Sequence, residues 1–256
     1  PSTPTVQNNC GNSVLTRATP PSGETWHWQG TDQDGTGMNS SSTYTVTTSG
    51  TYYLRAQNNT TGCWGNSRSV LVTVNTVPGV PATPTVQNNC GNTKLTRGTP
   101  PGGVTWYWQG TNAFGMSTEN SSSTYTATAS GTYYLRAQNN TTGCWGAIRS
   151  VSVTVDTGPD IPPEPIVKNN CGNSVLINLS SNINDNQQPI SVETLYWQGA
   201  NPDGTSTDNN SPTYTVTTSG TYYLRAQNNV TGCWGNSRSI SVNVKAVPST
   251  PSTPTV

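Results

Sequence analysis

One ten-residue stretch, Gly-Thr-Tyr-Tyr-Leu-Arg-Ala-Gln-Asn-Asn, occurs three times, beginning at Gly50, Gly131 and Gly220. A short step later each copy continues as Thr-Gly-Cys-Trp-Gly. Cys10, Cys90 and Cys171 open equivalent segments, so the period is 80 to 81 residues. Self-similarity at a fixed period identifies a tandem array, and each unit must then form most of its structure from its own short sequence. A unit of about 80 residues suits a small sandwich with its own core. Positions that the copies keep serve the fold, and positions that drift do not carry a shared chemistry.

The pattern inside a unit is that of an all-β chain. No apolar period of 3.6 residues is sustained. Thr, Val, Tyr and Trp alternate with polar residues between Gly, Asn and Pro punctuation, which predicts short strands and frequent turns. In the first copy strands are expected at residues 3–7, 13–17, 25–29, 43–47, 51–57 and 68–74, with a variable Gly/Asp/Ser-rich loop over 30–42. Alternation assigns the inward face. Val70, Val72 and Val74 point one way, as do Val151, Val153 and Val155, and Ile240, Val242 and Val244. Leu71 on the opposite side becomes Ser152 and Ser241. Trp26 and Trp28 share a face, matched by Trp106 with Trp108 and by Leu195 with Trp197. On the repeated strand Tyr52 and Leu54, Tyr133 and Leu135, and Tyr222 and Leu224 complete the expected core. Period-two burial of this kind marks a sandwich.

Pro-rich joints separate the units. The expected division is 1–76, a linker at 77–82, 83–156, a linker at 157–164, 165–246, and 247–256 as a linker with the first strand of a following unit. Pro restricts φ, so such joints act as semi-rigid spacers. The hexapeptide Pro1-Ser2-Thr3-Pro4-Thr5-Val6 returns as Pro251-Ser252-Thr253-Pro254-Thr255-Val256, which reads as a segment of a longer array. The third copy carries an Asn/Gln-rich insertion within 178–192, a length change that a surface loop absorbs cheaply.

Charge narrows the function classes. Only 9% of residues are charged and the net charge is zero, so the clustered Lys and Arg of a nucleic-acid binder are missing. A polybasic membrane patch is missing too, and no apolar run approaches a membrane span. His27 is the only histidine, and Tyr107 and Tyr196 replace it in the other copies. A repeated Ser-His-Asp or metal-hydrolase site is therefore ruled out, and His27 is expected to face solvent. The stretch Asp32-Gln33-Asp34-Gly35 has the composition of a small calcium loop, but its equivalents do not keep the acids, so a solvated turn is expected. No enzyme activity, cofactor or metal is expected.

The six cysteines fall two per unit, spaced 53, 54 and 62 residues apart. An even count with one pair per unit reads as one disulfide each, involving Cys10, Cys63, Cys90, Cys144, Cys171 and Cys233. Pairing within each unit is the expectation, because every copy holds both members. A loop of roughly 55 residues would contribute about 4 kcal/mol in the chain-entropy model. Zinc is the competing use, but CxxC spacing is absent. Two uses remain open for Trp64, Trp145 and Trp234: packing on the neighbouring cystine, or an exposed platform for sugar. Tyr53, Arg55 and Gln57 form an outer stripe whose uses are cross-strand pairing or lateral contact between chains.

The segment Ser49-Gly50-Thr51-Tyr52-Tyr53-Leu54-Arg55-Ala56 resembles strand F of immunoglobulin domains, with Tyr52 in the tyrosine-corner position and Leu54 in the place of the cysteine two residues on. Trp26 or Trp28 takes the place of the core tryptophan. The whole repeat resembles the Ig-like repeats of large surface proteins of gliding and polymer-degrading Bacteroidota: an early Cys-Gly, an aromatic third strand, Gly-Thr-Tyr-Tyr, a Gly-Cys turn and a final valine strand. The resemblance implies three tandem Ig-like β-sandwich domains, export through the type IX system and display on the extracellular cell surface. It implies a structural or adhesive stalk or filament segment without catalysis, whose partners are neighbouring copies of itself. Two alternatives are a filament subunit that polymerises by β-strand addition and a carbohydrate-binding array that recognises a surface polysaccharide.

Overall fold

Alternating Thr, Val, Tyr and Trp residues, cut every few positions by Gly, Pro or Asn, build six strands in each repeat. A computed structural model describes residues 1–179 and 192–251. Most of the insertion expected within 178–192 lies outside the described residues, as does 252–256 of the expected terminal strand. Among the described residues the chain is all-β, without helices, and forms six three-stranded antiparallel sheets. No helix there is long and apolar enough to cross a membrane.

The first repeat contains β1 (Thr5–Asn8), β2 (Ser13–Thr16), β3 (Glu24–Trp28), β4 (Thr43–Val46), β5 (Gly50–Asn58) and β6 (Arg68–Val72). One sheet has the order β1-β2-β4 and the other β3-β5-β6. The second repeat follows with β7 (Thr85–Asn89) to β12 (Trp145–Val153), in sheets β7-β8-β10 and β9-β11-β12. The third runs from β13 (Ile166–Asn169) to β18 (Arg238–Val242), in sheets β13-β14-β16 and β15-β17-β18. By contact density the chain divides into two compact units. The first comprises Pro1–Thr85, Thr96–Tyr125 and Gly131–Ser152, and the second Val86–Leu95, Thr126–Ser130 and Val153–Val256.

Register fixes which side chains meet. Trp26 lies opposite Ala56 and Trp28 opposite Leu54, while Tyr52 lies opposite Val70. These residues point inward and meet Leu15 and Val46 from the other sheet in one cluster. Trp28 stacks on Tyr44 at 5.6 Å, and Tyr44 meets Tyr52 edge-on at 6.1 Å, so an aromatic ladder ties the sheets together. The third repeat repeats this with Leu176, Trp197, Val216, Tyr222, Leu224, Ile240 and Val242. Leu195, replacing a tryptophan, is only half-buried beside that cluster. Trp106, Trp108, Tyr133 and Leu135 are buried in the second repeat. Burying one such leucine contributes about 1.5–3 kcal/mol. Leu71, on the outer side of β6, is 75% exposed, which explains why serine replaces it elsewhere.

Two polar devices join the apolar core. The Tyr52 hydroxyl donates to the Thr48 carbonyl at 2.9 Å, and Tyr222 does the same to Thr218. Ser13 is fully buried, and its hydroxyl lies 3.0 Å from the Asn8 side-chain oxygen and 3.3 Å from the Thr73 carbonyl. Thr93 makes the equivalent pair of contacts to Asn88 and Thr154. Burial of these hydroxyls is tolerated because each is hydrogen-bonded.

Candidate functional site: the cysteine turns and the arginine–tryptophan face

Each cysteine sits in a turn that glycine makes possible. Gly11, Gly91 and Gly172, directly after the early cysteines, have φ of +81°, +84° and +85°, a region that L side chains avoid. The turn joins β1 to β2 and their equivalents, and the Gly11 amide donates to the Asn75 carbonyl at 2.8 Å. Gly91 bonds Asp156 in the same way, and Gly172 bonds Lys245. The early cysteine is thereby held beside the end of its own repeat. The late cysteine lies in the hairpin between β5 and β6, where Asn58 exchanges backbone bonds with Cys63 and Gly62. The Asn58 side chain caps that turn by accepting from the amides of Thr60 and Thr61.

These positions overturn the expected pairing. Gly50, at one end of β5, pairs with Val72, and Cys10 bridges to Asn75 just beyond it. Cys63 lies past Asn58, at the other end of β5. Strand rise separates those ends by roughly 26 Å at ~3.3 Å per residue. A disulfide tolerates a Cα separation of at most about 7 Å. The two cysteines of one repeat therefore cannot meet. Cys10 instead bonds Cys144, with Cα atoms 5.5 Å apart, and Cys90 bonds Cys233 at 5.4 Å. The rule is early cysteine of one repeat to late cysteine of the next. Cys63 and Cys171, expected to be bonded, carry free exposed thiols. Two disulfides imply an oxidising, non-cytoplasmic environment.

The outer face of the β3-β5-β6 sheet gathers the other candidate residues. His27 lies opposite Arg55, Tyr107 opposite Arg136 and Tyr196 opposite Arg225. The tryptophan after each late cysteine folds over this pair. Trp64 lies 5.2 Å from His27 and 5.4 Å from the Arg55 guanidinium carbon. Trp145 approaches Tyr107 and Arg136 at 5.6 and 5.7 Å, and Trp234 approaches Tyr196 and Arg225 at 5.4 and 5.6 Å. His27 is consequently buried, not solvent-facing as expected, and among the described residues its two ring nitrogens are the buried side-chain atoms without a partner.

The arginines are also engaged. Arg55 Nε donates to the Gly65 carbonyl at 2.9 Å, and Nη1 donates to the carbonyls of Asp34 and Gly35. Arg136 and Arg225 grip Gly146 with Gly115, and Gly235 with Gly204. Each guanidinium ties the strand to its long loop and to its hairpin. In the Asp32–Gly35 loop, Asp32 accepts from the Asp34 amide at 3.0 Å. No group of three or more His, Cys, Asp or Glu able to hold a metal occurs among the described residues.

Sequence reasoning passed over one repeated residue here. Gln29 is buried, donates to the Gly37 carbonyl at 3.1 Å and accepts from the Gly37 amide at 2.6 Å. Gln109 and Gln198 hold Ser117 and Ser206 in the same two-way clamp. The available signal was a Trp-Gln-Gly triplet kept in all three copies. No protein-family model matches the chain, and no curated protein matches its sequence.

Proposed function

We propose that the chain is a structural stalk or filament segment of a bacterial surface protein, made of three Ig-like sandwiches in tandem and without catalysis. The observation that carries this is the pairing of Cys10 with Cys144 and Cys90 with Cys233, which passes covalent connection from repeat to repeat. A binding module or enzyme has no need for such staples between units, whereas a load-bearing element does. The Ig-like assignment is supported by the two-sheet core and by the Tyr52 and Tyr222 hydroxyl bonds to residues four positions upstream, the geometry of a tyrosine corner. Extracellular display accords with the disulfides and with a surface kept polar by Ser, Thr and Asn. Sugar recognition through Trp64 and its equivalents is disfavoured, because each ring is already occupied by an arginine and an aromatic partner.

Immunogold labelling of intact producing cells tests the proposal. Label is expected on surface projections; label confined to the cell interior refutes it. Glycan-array binding that vanishes in Trp145→Ala would replace the stalk with the carbohydrate-binding alternative.

A further inference from the structure

The two free cysteines are the unpaired members of the staple series. Cys171 occupies the early position of the third repeat, and its turn is already set: Gly172 donates to Lys245, and Asn170 donates to Asn173 at 2.9 Å. Cys63 occupies the late position of the first repeat, with its amide 3.4 Å from the Thr61 hydroxyl, matching Cys144 with Thr142 and Cys233 with Thr231. Both thiols are therefore presented in the conformation that their bonded counterparts use. Their exposure differs sharply: Cys144 and Cys233 are 1% and 2% exposed, while Cys63 is open.

A second observation, independent of the cysteines, marks the same face of the first repeat as unfilled. Gly146 and Gly235 are buried, with the carbonyls of Pro78 and Pro159 lying where a Cβ would stand. In the first repeat the equivalent Gly65 is exposed, and nothing but its own Ala56 comes near. Ala137 and Ala226 are buried, whereas Ala56 is only half-buried. His27, on the same outer face beside Trp64, keeps two buried nitrogens without partners. What the second and third repeats receive is the Pro-linker that precedes each of them. The third repeat carries an equivalent linker outward, with Val247 against Gly172 as Val77 lies against Gly11.

We propose that this face takes a second copy of the chain. Residues 247–250 of one chain cross Gly65 of the next as 77–80 cross Gly146, and Cys171 of the first bonds Cys63 of the second. The inference rests on the stalk reading and names its partner. The chemistry is two thiol–disulfide exchanges with a low-molecular-weight disulfide such as oxidised glutathione as oxidant. The Cys171 thiolate attacks it, forming a mixed disulfide and releasing one glutathione thiolate. The Cys63 thiolate of the other copy then attacks the Cys171 sulfur, releasing the second. Both leaving thiolates take up the protons that the two cysteines gave, and glutathione disulfide accepts the two electrons.

The test incubates the purified, otherwise oxidised chain with oxidised and reduced glutathione, followed by non-reducing electrophoresis and peptide mapping. A ladder in steps of 27.1 kDa is expected, with Cys63 and Cys171 in one cross-linked peptide pair. Cys63→Ser and Cys171→Ser each remain monomeric alone, and their mixture stops at a covalent dimer. Gly65→Val, which fills an exposed glycine and leaves both thiols free, loses the ladder. The proposal is overturned by monomer carrying two glutathiones, by a Cys63–Cys171 bond within one chain, by symmetric dimers of either single variant, or by a ladder indifferent to Gly65→Val. Failure here leaves the surface labelling untouched, so the two readings fail separately.

Discussion

Removing one cross-repeat staple should cost far more than removing a free thiol. In the double variant Cys10→Ala/Cys144→Ala, the lost bond closes a separation of 134 residues. Loop-closure entropy scales with the logarithm of loop length, which gives about 5 kcal/mol at 25 °C. That is comparable to the whole stability of many small domains, about 5–15 kcal/mol. Cys63→Ala, in contrast, removes an exposed sulfur bonded to nothing, so its effect stays within about 0.5 kcal/mol. Urea unfolding followed by tryptophan fluorescence reads both, since every repeat contributes buried indoles. Non-reducing peptide mapping of the parent chain supplies the covalent control. The reasoning is refuted if Cys63→Ala destabilises as much as the double variant, or if a Cys10–Cys63 peptide is recovered. Either result would mean that β5 does not hold its two ends apart as its register requires.

Three further substitutions probe the repeated devices. Tyr52→Phe deletes the hydroxyl bonded to Thr48 and should lower stability by about 1 kcal/mol in the same unfolding assay; no change would show that the corner is ornamental. His27→Tyr installs the residue of the other two copies and removes two unpartnered buried nitrogens, so it should raise stability by about 1 kcal/mol, and a loss would contradict the burial argument. Gly115→Ala places a Cβ 2.5 Å from the Gln109 side-chain oxygen and 2.9 Å from its Cβ, which should cost about 1–3 kcal/mol and lower the melting temperature in calorimetry.

The core was legible because its signal is local. Trp26, Trp28, Tyr52 and Leu54 follow a period of two, and replacements between copies stay apolar on one face and drift on the other. The outer face was not legible, because its burial is made by a residue from another element. His27 looks exposed on its own strand; only the hairpin that folds Trp64 back over it changes that. The Gln29 clamp was missed for a related reason: a glutamine between a buried strand and a polar loop gives no periodic signal.

The cysteines show most clearly where one-dimensional reasoning stops. Spacing alone favours pairing within a repeat, since each copy owns two cysteines and the intervening loop is short. The deciding quantity is the length of β5. Nine extended residues place the hairpin of Cys63 at one end of the sandwich and the exit beside Asn75 at the other. A strand long enough to cross the core is also too long for its own repeat's cysteines to meet. The early cysteine, held at the exit, can then reach only a hairpin that the next repeat brings to it. The same conserved strand that builds each core therefore forces every covalent bond outward, and an array under this rule always ends with one early and one late thiol unspent.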